Sequence, residues 1–171
     1  MPDGILLDTS FLISLVDKNR PNHKTALKYF RHFAQDSIPM FLSTIVVSEF
    51  HLKQAVTDLP LDAIIILPFN LPDAMKAAEL DFTKANRDGS TSRDSIKDDY
   101  KLLGQAGAND IAFLITEDER TLFKHCQSLR SENKIHTKPI KLVDGFDTSN
   151  FDPSGQKEFQ DFADESSFEL E

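Results

Sequence analysis

Short apolar runs alternate with amphipathic stretches along this chain of 171 residues. Runs of about four to eight apolar residues are typical of buried strands, and apolar residues three and four apart indicate helices. The runs predict strands at 5–8, 40–44, 62–69, 110–118 and 138–146. The amphipathic stretches predict helices at 11–18, 22–36, 44–54, 71–88, 92–108 and 119–134. This alternation predicts an α/β protein, a three-layer α/β/α sandwich with a mainly parallel central sheet. Such sheets bind ligands beyond the carboxyl ends of their strands.

Charge is distributed unevenly. Residues 144–171 contain nine of the 28 acidic residues and a single lysine, so the rest of the chain is nearly neutral although the whole has a formal charge of −9. We therefore expect one domain over residues 1–147 and an acidic, phenylalanine-containing C-terminal extension over 148–171. Regulation, partner binding and simple solubilisation remain alternative roles for that extension. A nearly neutral body is compatible with a polyanionic substrate.

Composition excludes several other classes of protein. Hydrophobic residues make up 40% of the chain and charged residues 27%, with no apolar window long enough for a membrane span. The segment MPDGILLD has no basic stretch before a long apolar one, so it predicts no secretion signal. The only cysteine, Cys126, excludes an internal disulfide and is expected to pack within a helix. We expect a cytoplasmic protein without a membrane partner.

Two acidic residues end predicted strands, and a third lies in an apolar helix. Asp8 and Asp118 follow the first and fourth strands, where either is also suited to cap the next helix. Glu49 is the only acid in the stretch 44–54, so burial and an outward-facing position are about equally good interpretations. Glu117, beside Asp118, is expected to be exposed. None of these acids identifies a site alone.

A fourth acid is chosen by helical spacing. Asp99 shares the spacing of Leu102, Leu103 and Ala106, which places it on the apolar side of its helix. Asp98 lies about 100° away around the helix axis and suits a solvated face better. Clustered acids repel one another unless they are protonated or neutralised by a cation. Because all the candidate ligands are oxygens, Mg²⁺ or Mn²⁺ is the expected cofactor.

In chain order, the segments LLDTSFL, STIVVSEF, DDYKLLGQA and FLITED resemble the four acidic motifs of the PIN-domain nucleases. That family includes the toxins of many bacterial toxin–antitoxin pairs, and the resemblance covers about residues 4–143. The positions that it assigns to the catalytic and metal-ligating set are Asp8, Glu49, Asp99 and Asp118. The hydroxyl-bearing positions that it places near the metal are Thr9, Ser10 and Thr116. Ser10 departs from the asparagine that is frequent there.

The resemblance implies a Mg²⁺- or Mn²⁺-dependent endoribonuclease that cleaves single-stranded or looped RNA. It also implies an antitoxin partner. A homodimer is a further, separate expectation. One alternative is a catalytically inactive PIN-like scaffold that binds other molecules. A second alternative is an aspartate-based phosphotransfer protein that uses Asp8, although haloacid-type phosphatases have aspartate where this chain has Ser10.

Overall fold

The computed structural model describes residues 4–85 and 92–151 of the chain. The strands are β1 (Ile5–Leu7), β2 (Met40–Ser43), β3 (Ile65–Leu67), β4 (Phe113–Thr116) and β5 (Lys138–Lys141). The helices are α1 (Thr9–Val16), α2 (His23–Gln35), α3 (Thr44–His51), α4 (Leu71–Leu80), α5 (Arg93–Ala108) and α6 (Leu122–Ser131). The predicted α/β/α sandwich is confirmed, and all strand pairings in its sheet are parallel. No helix in the described ranges is long and apolar enough to cross a membrane.

The order of the strands determines where a ligand site can form. The sheet runs β3–β2–β1–β4–β5, so the chain moves outward from β1 in one direction and then crosses to β4 on the other side. The order therefore reverses between β1 and β4, which is the usual position of a binding crevice in such sheets. Leu7 pairs with Ile115, so Asp8 and Thr116, the next residue of each strand segment, meet at the carboxyl edge.

The central strand is hydrophobic on both faces because helices cover both. Ile5, Leu6 and Leu7 have no exposed surface, and Phe11 and Leu12 of α1 are equally buried. A continuous apolar run is what a parallel strand enclosed on two sides requires. The core therefore surrounds β1 and holds the carboxyl end of that strand in a defined position.

Helices α4 and α5 pack closely against each other. A Cβ added at Gly104 of α5 would lie only 2.5 Å from the Cα of Ala77 of α4. Only glycine allows so short an approach between the two backbones. This contact fixes α5, which carries Asp99, against the rest of the fold.

A buried carboxylate reinforces the same helix pair. Asp73, which is 1% exposed, accepts hydrogen bonds from Gln105 Nε2 at 3.1 Å and from Asn109 Nδ2 at 2.8 Å. It also forms a capping box with Asn70 at the start of α4. Helix α4 turns Asp73 toward α5 and leaves Ala74 and Ala78 exposed.

Several predicted boundaries differ from the structure. Helix α4 ends at Leu80 because Asp81 adopts a left-handed conformation, with φ of 53°. The third strand is confined to Ile65–Leu67, and Leu61–Ala63 before it forms a 3₁₀ turn. Residues 86–91, between α4 and α5, lie outside the described residues. Ser92 caps α5 by accepting from the N–H of Ser95.

The chain beyond β5 packs back against α2. The Tyr29 hydroxyl donates to the carbonyl oxygen of Gly145 at 2.9 Å and accepts from the N–H of Asp147 at 3.1 Å. The ring of Phe151 meets the rings of Phe33 and Phe113 edge to face, with centroids 5.3 and 5.1 Å apart. Packing therefore continues to Phe151, past the predicted domain end at residue 147. The remainder of the predicted extension lies outside the described residues.

Replacing Phe151 with alanine is expected to destabilise the fold by about 2–4 kcal/mol, because it removes ring contacts with the core. Phe146→Ala is the matched control. Phe146 is 38% exposed, so its loss is expected to cost about 1 kcal/mol. Urea denaturation of both variants measures the difference, and equal costs would show that Phe151 does not anchor the C-terminal segment.

Candidate functional site

Asp8 is the first residue after β1, and its carboxylate is almost buried. It is 7% exposed. Its Oδ2 accepts from the hydroxyls of Ser10 at 2.6 Å and Thr116 at 2.8 Å. The same oxygen accepts from the N–H of Ser10 at 3.3 Å, which caps α1. The two interpretations of this acid, as a helix cap and as a strand-end carboxylate in the crevice, therefore describe one geometry.

The two hydroxyls beside Asp8 are themselves held in place. Ser10 Oγ accepts from the N–H of Glu117 at 2.8 Å, and Thr116 Oγ1 accepts from the N–H of Asp118 at 2.9 Å. Each hydroxyl has one proton, and each is placed to direct that proton to Asp8. The turn after β4 therefore orients the donors that orient Asp8.

Burial raises the pKa of Asp8, and the hydrogen bonds from Ser10 and Thr116 oppose that rise only in part. The ionised form is disfavoured because few polar groups replace the water that the carboxylate loses. A cation near this carboxylate would stabilise the ionised form.

Glu49, on α3, faces the same edge of the sheet. Its Oε2 accepts from the hydroxyl of Thr9 at 2.6 Å. Burial raises the pKa of Glu49, the Thr9 hydrogen bond lowers it, and the charges of Asp8, Asp98 and Asp99 raise it further. The outward-facing interpretation of Glu49 is therefore wrong, because α3 crosses α1 at Thr9.

Helix α5 turns Asp99 inward and Asp98 outward. The side chain of Asp99 is 15% exposed, and its Oδ2 lies 3.1 Å from Nδ1 of His125. Asp98 is 41% exposed and forms an ion pair with Lys101 at 2.9 Å. Burial raises the pKa of Asp99; His125 lowers it, and the charges of Asp118 and Asp8 raise it. The inward position of Asp99 agrees with its helical spacing.

Asp118 occupies a different environment from the other three acids. Its Oδ1 accepts from the N–H groups of Arg120 and Thr121, both at 3.0 Å, and its Oδ2 accepts from the Thr121 hydroxyl. Burial alone would raise the pKa of Asp118, but these hydrogen bonds outweigh it and hold the pKa below its usual range. Asp118 is therefore stable as an anion and shapes the turn before α6.

Glu117 is not exposed as predicted. Its side chain is 16% exposed and accepts from Ser14 Oγ at 2.9 Å, Arg20 at 3.0 Å and Asn22 Nδ2 at 2.6 Å. Ser14 lies on α1, and the loop between α1 and α2 brings Arg20 and Asn22 to the end of β4. Asn22, the residue before α2, makes no side-chain cap and donates to Glu117 instead.

His125 is the partner that sequence reasoning missed. It is 9% exposed and joins α6 to the acid on α5. A signal was present, because His125 lies three residues after Leu122 and four before Leu129, both buried. A histidine on an apolar helix face needs a buried partner.

The donor chemistry of Asp8, Glu49 and Asp99 fits a hard divalent cation. Each carboxylate uses one oxygen for its side-chain hydrogen bonds within the described residues: Oδ2, Oε2 and Oδ2 respectively. The described ranges contain no group of three or more acids, histidines or cysteines arranged to hold a metal. Mg²⁺ commonly uses only one or two carboxylates and keeps several waters.

Fold and site together define the class of protein: an α/β/α sandwich with acidic residues at the switch point of a parallel sheet. The PIN domain model matches residues 5–127, and the chain belongs to the PIN domain family. The match includes all four acids and the three hydroxyl-bearing residues identified from the sequence. The predicted family is therefore confirmed.

Solved structures show the same fold at low sequence identity. A chain of VapBC2 from Rickettsia felis, solved with a DNA fragment from its promoter, is 15% identical with a TM-score of 0.54; the match covers 79% of this chain and 97% of that one. FitAcB from Neisseria gonorrhoeae is 17% identical with a TM-score of 0.53, and the match covers 81% of this chain and 98% of that one. VapC20 of Mycobacterium tuberculosis, a toxin that cleaves the sarcin–ricin loop, is 15% identical with a TM-score of 0.52, and the match covers 80% of this chain and 100% of that one. No curated protein matches the sequence.

Two strand-end acids are expected to give opposite changes of stability with pH. The raised pKa of Asp8 means that its ionisation costs folding stability as pH rises, so Asp8→Asn is expected to stabilise the protein at neutral pH in EDTA. The lowered pKa of Asp118 means that its anion adds stability, so Asp118→Asn is expected to cost about 1–2 kcal/mol at neutral pH.

Urea denaturation at several pH values checks both signs. Below the ordinary aspartate pKa of 3.8, Asp8 is protonated in both the folded and the unfolded state, so the gain from Asp8→Asn should shrink. The loss from Asp118→Asn should shrink as pH falls through the lowered pKa of that group. Changes of the same sign at neutral pH would contradict the assigned environments.

Proposed function

We propose that this chain is a Mg²⁺- or Mn²⁺-dependent endoribonuclease that acts as the toxin of a toxin–antitoxin pair. The observation that carries the proposal is the buried carboxylate of Asp8 at the β1–β4 switch point, within electrostatic reach of Glu49 and Asp99. Membership of the PIN domain family supports a nuclease over a phosphotransfer protein.

Asp8, Glu49 and Asp99 would supply the carboxylate ligands, one or two to each bound cation, through the oxygens that carry no side-chain hydrogen bond. A bound divalent cation supplies charge neutralisation for the scissile phosphate and lowers the pKa of an attacking water. Asp118 has both oxygens engaged in the turn before α6, so its contribution is negative charge near Asp99. The assignment therefore separates three ligands from a fourth acid that acts at a distance.

The neighbouring polar residues keep these ligands in position. Thr9 holds Glu49, His125 holds Asp99, and the hydroxyls of Ser10 and Thr116 hold Asp8. Partners of this kind fix the orientation of metal-binding carboxylates, and their loss typically costs about 10–100-fold in metal affinity or activity.

An antitoxin partner is the second part of the proposal. It is supported by the fold shared with VapBC2 and FitAcB, and RNA as substrate is supported by the fold shared with a toxin that cleaves the sarcin–ricin loop. The gene immediately upstream is expected to encode the antitoxin.

Expression of this chain alone should arrest bacterial growth, and co-expression of the upstream product should restore it.

Asp8→Asn and Asp99→Asn are each expected to reduce RNA cleavage by roughly 100-fold or more, because each removes a proposed metal ligand. Asp98→Asn is the matched control on the same helix. Its carboxylate is exposed and paired with Lys101, so activity should stay within about a factor of three. Cleavage of labelled RNA by the purified chains, with Mg²⁺ or Mn²⁺ and with EDTA, measures these effects.

Undiminished cleavage in EDTA, or full activity in Asp8→Asn, would count against the metal-dependent mechanism. Metal binding without cleavage of any RNA would instead favour the inactive scaffold. If Asp98→Asn impaired cleavage as much as Asp99→Asn, the choice of Asp99 rather than Asp98 as the metal ligand on α5 would be contradicted.

A further inference from the structure

A pocket of about 480 Å³ lies beside the acidic site, between the end of α4 and the facing sides of α5 and α6. Its floor includes the apolar side chains of Leu80 and Leu129 and the ring of Tyr100. Its rim includes Lys84, Arg120 and Lys124. A cavity of this size, with an apolar floor and a few charged groups, is typical of a small-ligand site.

The pocket and the acidic site share a wall. His125 and Thr121 line the pocket. His125 also contacts the carboxylate of Asp99, and the Thr121 hydroxyl donates to that of Asp118. A molecule in the pocket is therefore separated from the proposed catalytic carboxylates by single side chains.

The charge of the pocket is opposite to that of the acidic site. Arg120 and Lys124 are exposed and form no ion pair with any residue in the described part of the chain. Glu132, the acid in the lining, is paired with Lys134 at 2.5 Å. The carboxylates of the acidic site repel phosphate, whereas the unpaired Arg120 and Lys124 attract it. The pocket is therefore a favourable position for the backbone of an RNA strand.

We infer that this pocket binds the ribonucleotide next to the scissile bond of the RNA substrate. The base packs on Leu80, Tyr100 and Leu129, and Arg120 and Lys124 contact the phosphate. Single-stranded RNA is recognised in this way, by apolar or aromatic surfaces for bases and cations for the backbone. The inference rests on the proposed nuclease function and adds to it a binding subsite for the substrate.

Binding is tested in an Asp8→Asn background with Mg²⁺, so that the RNA stays intact. The probe is a short fluorescein-labelled single-stranded oligoribonucleotide, and fluorescence anisotropy gives its affinity over a salt series. Adding Arg120→Gln and Lys124→Gln is expected to weaken binding roughly tenfold. Loss of two phosphate contacts should also reduce the slope of log affinity against log salt by about 1.4.

Two further variants distinguish RNA binding in the pocket from non-specific electrostatic attraction of RNA to the protein surface. Ser128→Leu fills the pocket from α6 without changing charge, and it is expected to weaken binding while leaving the salt slope unchanged. Lys28→Gln with Arg31→Gln removes the same charge from the exposed face of α2, outside the pocket, and is expected to bind as the background does. Circular dichroism checks that each variant is folded.

Equal weakening by the α2 control, no effect of the pocket variants, or failure of the Asp8→Asn chain to bind the RNA overturns the inference. Adenosine monophosphate that binds as tightly as the oligoribonucleotide would also overturn it, since the pocket would then be a site for a free nucleotide. Pocket-dependent RNA binding without cleavage by the unmodified chain in any divalent metal would instead refute the proposed nuclease function and leave the subsite in place.

Discussion

The structure depends on holding a carboxylate, Asp8, almost without solvent at the carboxyl end of its central strand. That position is costly for an anion, because burial removes water and few groups replace it. The register of β1 against β4 provides the compensation, since it brings the hydroxyl of Thr116 to the same level as Asp8. Ser10, the second residue of α1, supplies the second hydroxyl.

The acids at this edge of the sheet lie in two kinds of environment, which shift their pKa values in opposite directions. Asp8 is buried, and Glu49 and Asp99 are half-buried. All three have raised pKa values and leave one oxygen without a side-chain hydrogen bond in the described region. Asp118 has a lowered pKa because the turn before α6 donates to both of its oxygens. The first three are suited to bind a cation, and the fourth is already satisfied by the protein. This difference sets the environment of Asp118 apart from that of the other three acids.

Asp99 depends on contacts that lie far from it. Helix α5 is fixed against α4 by the close approach at Gly104 and by the buried carboxylate of Asp73. Helix α6 then brings His125 to Asp99 and forms one side of the adjoining pocket. A single arrangement of three helices thus places an acid, its partner and a cationic rim together.

The sequence by itself determined the alternation of strands and helices, the parallel α/β class, the strand-end position of Asp8 and the inward position of Asp99. These features follow from local periodicity, because a strand or helix imposes its repeat on the residues within it. Tertiary structure alone decided that His125 meets Asp99, that Arg20 and Asn22 bury Glu117, and that Thr9 turns Glu49 toward the sheet. Each of these contacts joins elements that are distant in the chain. The angle and register at which two elements pack cannot be deduced from the periodicity of either element alone.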